Sequence, residues 1–244
     1  MLSESFERLN ALAKICSASK YLEIGVAKGL TFRRVDVPYK VAVDPNFRLD
    51  INKYADPKTI FHEVMSDAFF STHASEHRPF DLIYLDGLHT FEQTFRDFCA
   101  SIGNSHANTI WLIDDTCPSG WLAANRNRGL TDRLRGRFRI ESRDWMGDVF
   151  KVVFAIHDFF PQFTYATFPG HGQTVVWLET RKNFSPTWNS FEKISRLGYR
   201  QFLSFRDSHM LIREVPHILE SVRISITSRR DRQAIVRKRR KSGK

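Results

Sequence analysis

Tyr21-Leu22-Glu23-Ile24-Gly25-Val26-Ala27-Lys28-Gly29 decides how this chain is read. Residues suited to a buried strand end beside an acid and are followed by two glycines four apart. Gly25 permits a tight turn, and Gly29 lets the backbone approach a ligand closely as the next helix begins. A dinucleotide-binding loop would read G-x-G-x-x-G, with its amides facing a pyrophosphate. Glu23 stands where the first of those glycines belongs. A carboxylate there repels phosphate and suits a cationic ligand. Glycine-bearing turns after strands are common, so the motif takes its meaning from its neighbours.

Those neighbours repeat the pattern. Val41-Ala42-Val43 ends in Asp44, nineteen residues after Gly25, the spacing at which an acid receives a ribose diol. A third run, 61–65, is followed by Ser66 and Asp67, polar groups placed where an adenine edge can lie. Runs 81–85 and 109–113 end in Asp86 and in the pair Asp114-Asp115. Two more apolar runs follow, 149–156 and 174–178, separated by a stretch with Pro161, Pro169, Gly170 and Gly172. Short apolar runs alternating with helical segments define βαβ units. The expected fold is α/β: a Rossmann-like, doubly wound, mostly parallel seven-stranded sheet with helices on both faces. The last two runs are expected to form an antiparallel pair ending it. Ligands of such sheets bind at the carboxyl ends of the strands, where all these acids fall.

Composition bounds the rest. The chain has 244 residues, 42% hydrophobic and 26% charged, enough for one large core without disulfides or structural metals. Mean hydropathy is −0.36. No apolar run approaches the ~20 residues needed to cross a bilayer. The N-terminus begins acidic and amphipathic, unlike a secretory signal. Cys16, Cys99 and Cys117 are odd in number and widely spaced, and read as reduced thiols. A cytoplasmic protein is expected. Residues 229–244 carry nine basic side chains and one acid, which leaves only +2 of the net +10 on the rest of the chain. Three regions are expected: a ligand-binding domain over 1–180, an appendage over 181–228 and a disordered basic tail over 229–244. The near-neutral body does not favour nucleic acid, although the tail could touch phosphates.

Asp86-Gly87-Leu88-His89-Thr90-Phe91-Glu92 with Asp97-Phe98, together with Asp114-Asp115, resembles the class I S-adenosylmethionine-dependent methyltransferases. More narrowly, it is similar to a bacterial O-methyltransferase-like subgroup with D-G-x-H-x-(Y/F)-E-x-x-x-x-D-(F/L) after strand four and D-D after strand five. The resemblance spans residues 15–180 and also takes in Trp145-Met146-Gly147-Asp148. It implies S-adenosylmethionine as cofactor. Glu23, Gly25, Gly29 and Asp86 would then face its methionine and ribose parts, Asp44 the ribose hydroxyls, and Ser66 and Asp67 the adenine. It also implies a divalent cation, Mg²⁺, on Asp86, Asp114 and Asp115. Without a metal, the same carboxylates serve as general base or cap loops.

Asp86, His89 and Asp114 are the catalytic candidates. A histidine titrating near neutral pH can take the proton of an acceptor hydroxyl, or its ring can simply fix the loop to a neighbouring acid. His157, His171 and His209 read as surface or packing residues. Trp145 and Trp121 are candidates for walling an acceptor pocket, with core packing the equal alternative. The expected function is O-methylation of a saccharide or small hydroxylated metabolite. The alternatives are an NAD-dependent Rossmann enzyme and an RNA-binding protein or RNA methyltransferase working through the tail.

Overall fold

The computed structural model describes residues 4–142, 144–170 and 172–242, with side chains to residue 236. Helix α1 (Ser5–Cys16) leads into β1 (Lys20–Ile24), and a 3₁₀ turn (Phe32–Arg34) connects it to β2 (Tyr39–Val43). After β3 (Thr59–His62) come the short helix α2 (Ser66–Ala68), a π-helical stretch (Phe69–His73) and α3 (Ala74–His77). Then β4 (Leu82–Leu85), α4 (Phe91–Ile102), β5 (Ile110–Ile113), α5 (Arg128–Phe138) and α6 (Phe150–Phe159) precede β6 (Phe163–Thr167) and β7 (Thr174–Leu178). Helices α7 (Phe191–Ser195), α8 (Tyr199–His209) and α9 (Val215–Ser242) complete the chain.

The seven strands lie in the order β3-β2-β1-β4-β5-β7-β6. All neighbours are parallel except β7, which runs antiparallel between β5 and β6. This is the expected sheet. The period of two in each strand divides its residues between two apolar layers. Leu22, Ile24, Ile83, Leu85, Trp111 and Ile113 pack with α4, α6 and α8 on one face. Tyr21, Leu82, Tyr84, Ile110 and Leu112 pack with α1 and α9 on the other. The register sets Leu22 beside Val41 and Ile83, so the central strands stop level with one another. Their carboxyl ends therefore share one edge.

Three expectations are corrected. Run 149–156 is not a strand but most of α6, whose residues Phe150 and Val152–Ile156 are all buried. A helix buried on every side carries no amphipathic period, so its sequence looks like a buried strand. The sixth strand instead lies at Phe163–Thr167, inside the stretch with Pro161, Pro169, Gly170 and Gly172 that was expected to separate the last two strands. Second, no helix follows Gly29: a single 3₁₀ turn spans the β1–β2 crossover, and α9 helps cover that face through Ile218, Val222 and Ile226. Third, the tail expected to be disordered continues α9 to Ser242. The guanidinium of Arg229 donates to the carbonyls of Ala107 and Leu178, and Arg230 donates to the carbonyl of Cys16 at 2.5 Å. Two of the tail's charges thus meet backbone carbonyls of the folded body. No helix among the described residues is long and apolar enough to cross a membrane.

Phe98 anchors α4, the helix that follows the D-G-x-H stretch. Its ring meets Trp111 at 5.8 Å, Phe160 at 5.5 Å and Phe163 at 5.7 Å. Phe98→Ala should cost about 3–5 kcal/mol through lost burial and the cavity left behind. Urea unfolding would show this as a lower midpoint; an unchanged midpoint would mean that α4 is not held there.

Candidate functional site at the carboxyl edge of the sheet

A cavity of about 610 Å³ opens along the edge where β1 to β5 end. That volume is within the range of small-molecule sites, ~300–1,000 Å³. Gly25, Asp44, Ser66, Asp67, Asp86, His89, Asp114 and Asp115 all line it. Residues from five separate strand ends thus converge, as their common position after apolar runs requires.

Glu23 and Gly29 do not line it. The Glu23 side chain turns into the α1/α9 layer, is 2% exposed, and accepts a hydrogen bond from the Tyr21 hydroxyl at 2.5 Å. Burial pushes its pKa up to about 8, against the opposing effects of the Tyr21 hydrogen bond and Lys40. Alternation explains this placement: Leu22 and Ile24 face one layer, so Glu23 must face the other. Gly29 closes the turn after Val26, its amide donating to the Val26 carbonyl at 2.8 Å with φ +66°. Gly25 has the stricter role. At φ +89°, a Cβ there would overlap the Asp86 carbonyl, so glycine alone lets the β1 and β4 ends touch.

Asp44 organises the loop beyond Gly25. One oxygen accepts the Ala27 amide at 2.8 Å and the other the Asn46 amide at 2.8 Å. Ser66 and Asp67 begin α2 and share one partner, the Gln93 side-chain amide, at 3.1 and 3.2 Å. Gln93 also donates to Asp97 at 3.0 Å and lines the cavity. Sequence reasoning missed Gln93; its place one turn before the aspartate of the long motif, on the same helical face, was the available signal.

The acidic pair after β5 splits. Asp114 receives the Tyr84 hydroxyl on one oxygen and the Asp115 amide, at 2.9 Å, on the other. Tyr84 is fixed in turn by Gln173 at 3.2 Å, and Gln173 by Arg8 of α1 at 2.9 Å. This buried chain of hydrogen bonds turns Asp114 away from the expected metal set. Asp115, at φ +58°, turns the other way and pairs with His89 Nδ1. The ligand atoms that converge are those of Asp86, His89 and Asp115, all within 4.8 Å of one another. His89 Nε2 lies 3.9 Å from Asp86. Burial, Asp114 and Asp115 all push the Asp86 carboxyl well upward. For His89, burial opposes the charged form, but the bond to Asp115 and the nearby acids outweigh it and raise the pKa. Two carboxylates and an imidazole at this spacing fit a divalent cation.

The Trp145–Asp148 stretch is explained by His89. Trp145 stacks on its ring at 5.0 Å and 22°, and donates its indole N–H to the Asn125 carbonyl at 2.7 Å. Gly147, at φ +60°, sits where a Cβ would overlap the His89 carbonyl. Asp148 accepts the first amide of α4, that of Phe91, at 2.8 Å, and pairs with Lys151 at 2.9 Å. Trp121 is exposed and does not line this cavity. His157 and His209 pack against each other at 4.5 Å, away from the cavity, and His171 lies outside the described residues.

No protein-family model matches the chain, and no curated protein matches it. Solved structures do. A Staphylococcus aureus protein described as a candidate caffeoyl-CoA O-methyltransferase aligns with TM-score 0.52 and 13% identity, over 71% of this chain and 82% of that one. The S-adenosylhomocysteine-bound methyltransferase PaMTH1 of Podospora anserina aligns with TM-score 0.50 and 16% identity, over 71% and 77%. The chain therefore shares the Rossmann-like α/β fold of these two proteins.

The buried Glu23 carboxyl makes stability depend on pH. Its folded pKa of about 8 lies above the ordinary 4.5, so its contribution is complete below pH 4.5 and is lost as pH rises through 8. Glu23→Gln should therefore gain stability relative to wild type as pH goes from 5 to 8. A variant-minus-wild-type difference that stays flat across urea unfolding at these pH values would contradict this.

Proposed function

We propose that the protein is an S-adenosylmethionine-dependent methyltransferase acting on a hydroxyl oxygen of a saccharide or small hydroxylated metabolite. The observation that carries this reading is the cavity at the carboxyl edge, where Asp44 ends β2, Ser66 and Asp67 follow β3, and Asp86 ends β4. The cofactor, when bound, supplies a methyl group on a cationic sulfonium, so the chemistry left to the protein is alignment and proton removal. Asp44, already held by two backbone amides, offers the remaining lone pairs of its carboxylate to the ribose hydroxyls. Ser66, Asp67 and Gln93 present hydrogen-bonding groups to the adenine. Asp86 and its neighbouring acids favour a positive centre above the end of β4.

His89 is the group that takes the acceptor's proton. Asp115 holds its Nδ1 and stabilises the charge the ring gains when Nε2 takes a proton, and Trp145 fixes the ring plane. Asp114 acts through Tyr84 and the β5 turn as a positioning residue. Trp145, stacked on His89, forms part of the cavity wall on the acceptor side. The lack of an α-helix after the Gly25 turn supports this reading over an NAD enzyme, since a pyrophosphate cradle needs a helix N-terminus there. A cytoplasmic location accords with it.

The convergence of Asp86, His89 and Asp115 favours a second reading, in which the three hold a divalent cation such as Mg²⁺. Such a cation, when bound, supplies a Lewis acid that lowers a hydroxyl pKa. Methyl transfer that persists fully in a chelator would exclude this version and leave His89 as the base.

Calorimetry with S-adenosylhomocysteine should show binding that Asp44→Ala weakens at least ten-fold. His89→Ala should keep that binding and lose methyl transfer by about 10²–10⁴-fold, the range for a lost general base. Wild type that does not bind S-adenosylhomocysteine would remove the basis of the proposal.

A further inference from the structure

A second cavity, of about 570 Å³, adjoins the first, and the two share Arg128 and Trp145 in their walls. It lies against α5 and the segment that follows, and its cationic lining is Arg128, Arg135 and Arg139. Arg135 is 8% exposed, and its Nε is buried with no hydrogen-bond partner among the described residues. A terminal nitrogen of the same guanidinium donates to the Asp144 carbonyl, which fixes the group in place. A buried guanidinium N–H without an acceptor is costly, and it leaves the positive charge of Arg135 beside the cavity only partly compensated. Arg139 makes no ion pair among the described residues and is exposed at the end of α5. Arg128 approaches Asp132 only at 3.8 Å, with both side chains open to solvent, and its guanidinium lies 5.4 Å over the Trp145 ring. Asp132 and Glu141 also line the cavity and leave it a net positive charge.

We propose that this second cavity is the acceptor subsite and that it selects an acceptor carrying an oxyanion, a phosphate or a carboxylate, bound by Arg128, Arg135 and Arg139. The inference rests on the methyltransferase reading of the first cavity and names the chemical class of its substrate. Arginine suits the task because its planar fork matches an oxyanion with two parallel hydrogen bonds. Arg128 and Trp145 stand in the walls of both cavities, so an acceptor that spans the two sets one end toward His89 and the other toward the arginines. The acid-rich edge of the first cavity would repel an anion, and the separation of the two charges along one groove fixes the orientation of the acceptor.

The test is calorimetric titration of glucose 1-phosphate, glucuronate and glucose into protein saturated with S-adenosylhomocysteine. At least one anionic sugar should bind ten-fold or more tightly than glucose. Binding of the phosphate alone identifies a phosphorylated acceptor, and binding of glucuronate alone an acidic sugar; either supports the proposal. Arg139→Gln, on an exposed side chain, should weaken that binding at least five-fold and leave S-adenosylhomocysteine affinity unchanged. Arg128→Gln should do the same to the sugar, which guards against an effect local to one helix end. Anionic sugars that bind no better than glucose, or that bind both variants as they bind wild type, would overturn the proposal. Failure of S-adenosylhomocysteine to bind at the outset would instead count against the methyltransferase reading itself.

Discussion

Five carboxyl groups gather at one end of a parallel sheet, and the groups that hold each of them tie the surrounding elements together. Strands β1, β2, β4 and β5 stop level with one another, and each carries an acid at or beside its end. Like charges held so close in a partly buried place cannot all remain ionised without compensation. The fold compensates each differently. Glu23 is kept under the sheet with the Tyr21 hydroxyl, Asp44 takes two backbone amides, Asp114 takes Tyr84, and Asp115 takes His89. Asp86, between them, is pushed upward by burial and by its neighbours. An edge built this way favours a positively charged visitor over a phosphate.

The compensating groups also explain elements that would otherwise look incidental. Arg8 of α1 reaches Gln173, which reaches Tyr84 and so fixes Asp114. A helix before the first strand thus has a part in the site. Gly147 brings the Trp145 segment down onto His89, and Asp148 holds the start of α4, the helix that carries Gln93 beside Ser66 and Asp67. The two motifs that begin at Asp86 and Trp145 are one packed unit.

Much of this was legible in the sequence. Strands β1, β2, β4, β5 and β7 announced themselves as apolar runs, and an acid after such a run must lie near the carboxyl edge. What was hidden was hidden for physical reasons. Helix α6 is buried all round and lacks the amphipathic period that distinguishes a helix from a strand. The direction of each side chain at a strand end depends on register and on positive-φ turns, so the exchange of Asp114 for His89 in the converging set was not readable from adjacency alone. The same holds for Glu23, whose alternation places it beneath the cavity. Residues 229–236 looked like a solvated charge run because composition cannot show that Arg229 and Arg230 meet strand-end and helix-end carbonyls.

The measurement that bears most directly on this account is a crystal structure of the protein grown with S-adenosylhomocysteine. The account predicts the ribose hydroxyls on Asp44, the adenine beside Ser66 and Gln93, and the thioether sulfur facing the space between Asp86 and His89. Density for the ligand elsewhere on the chain, or a carboxyl edge whose acids are sealed from it, would contradict the account.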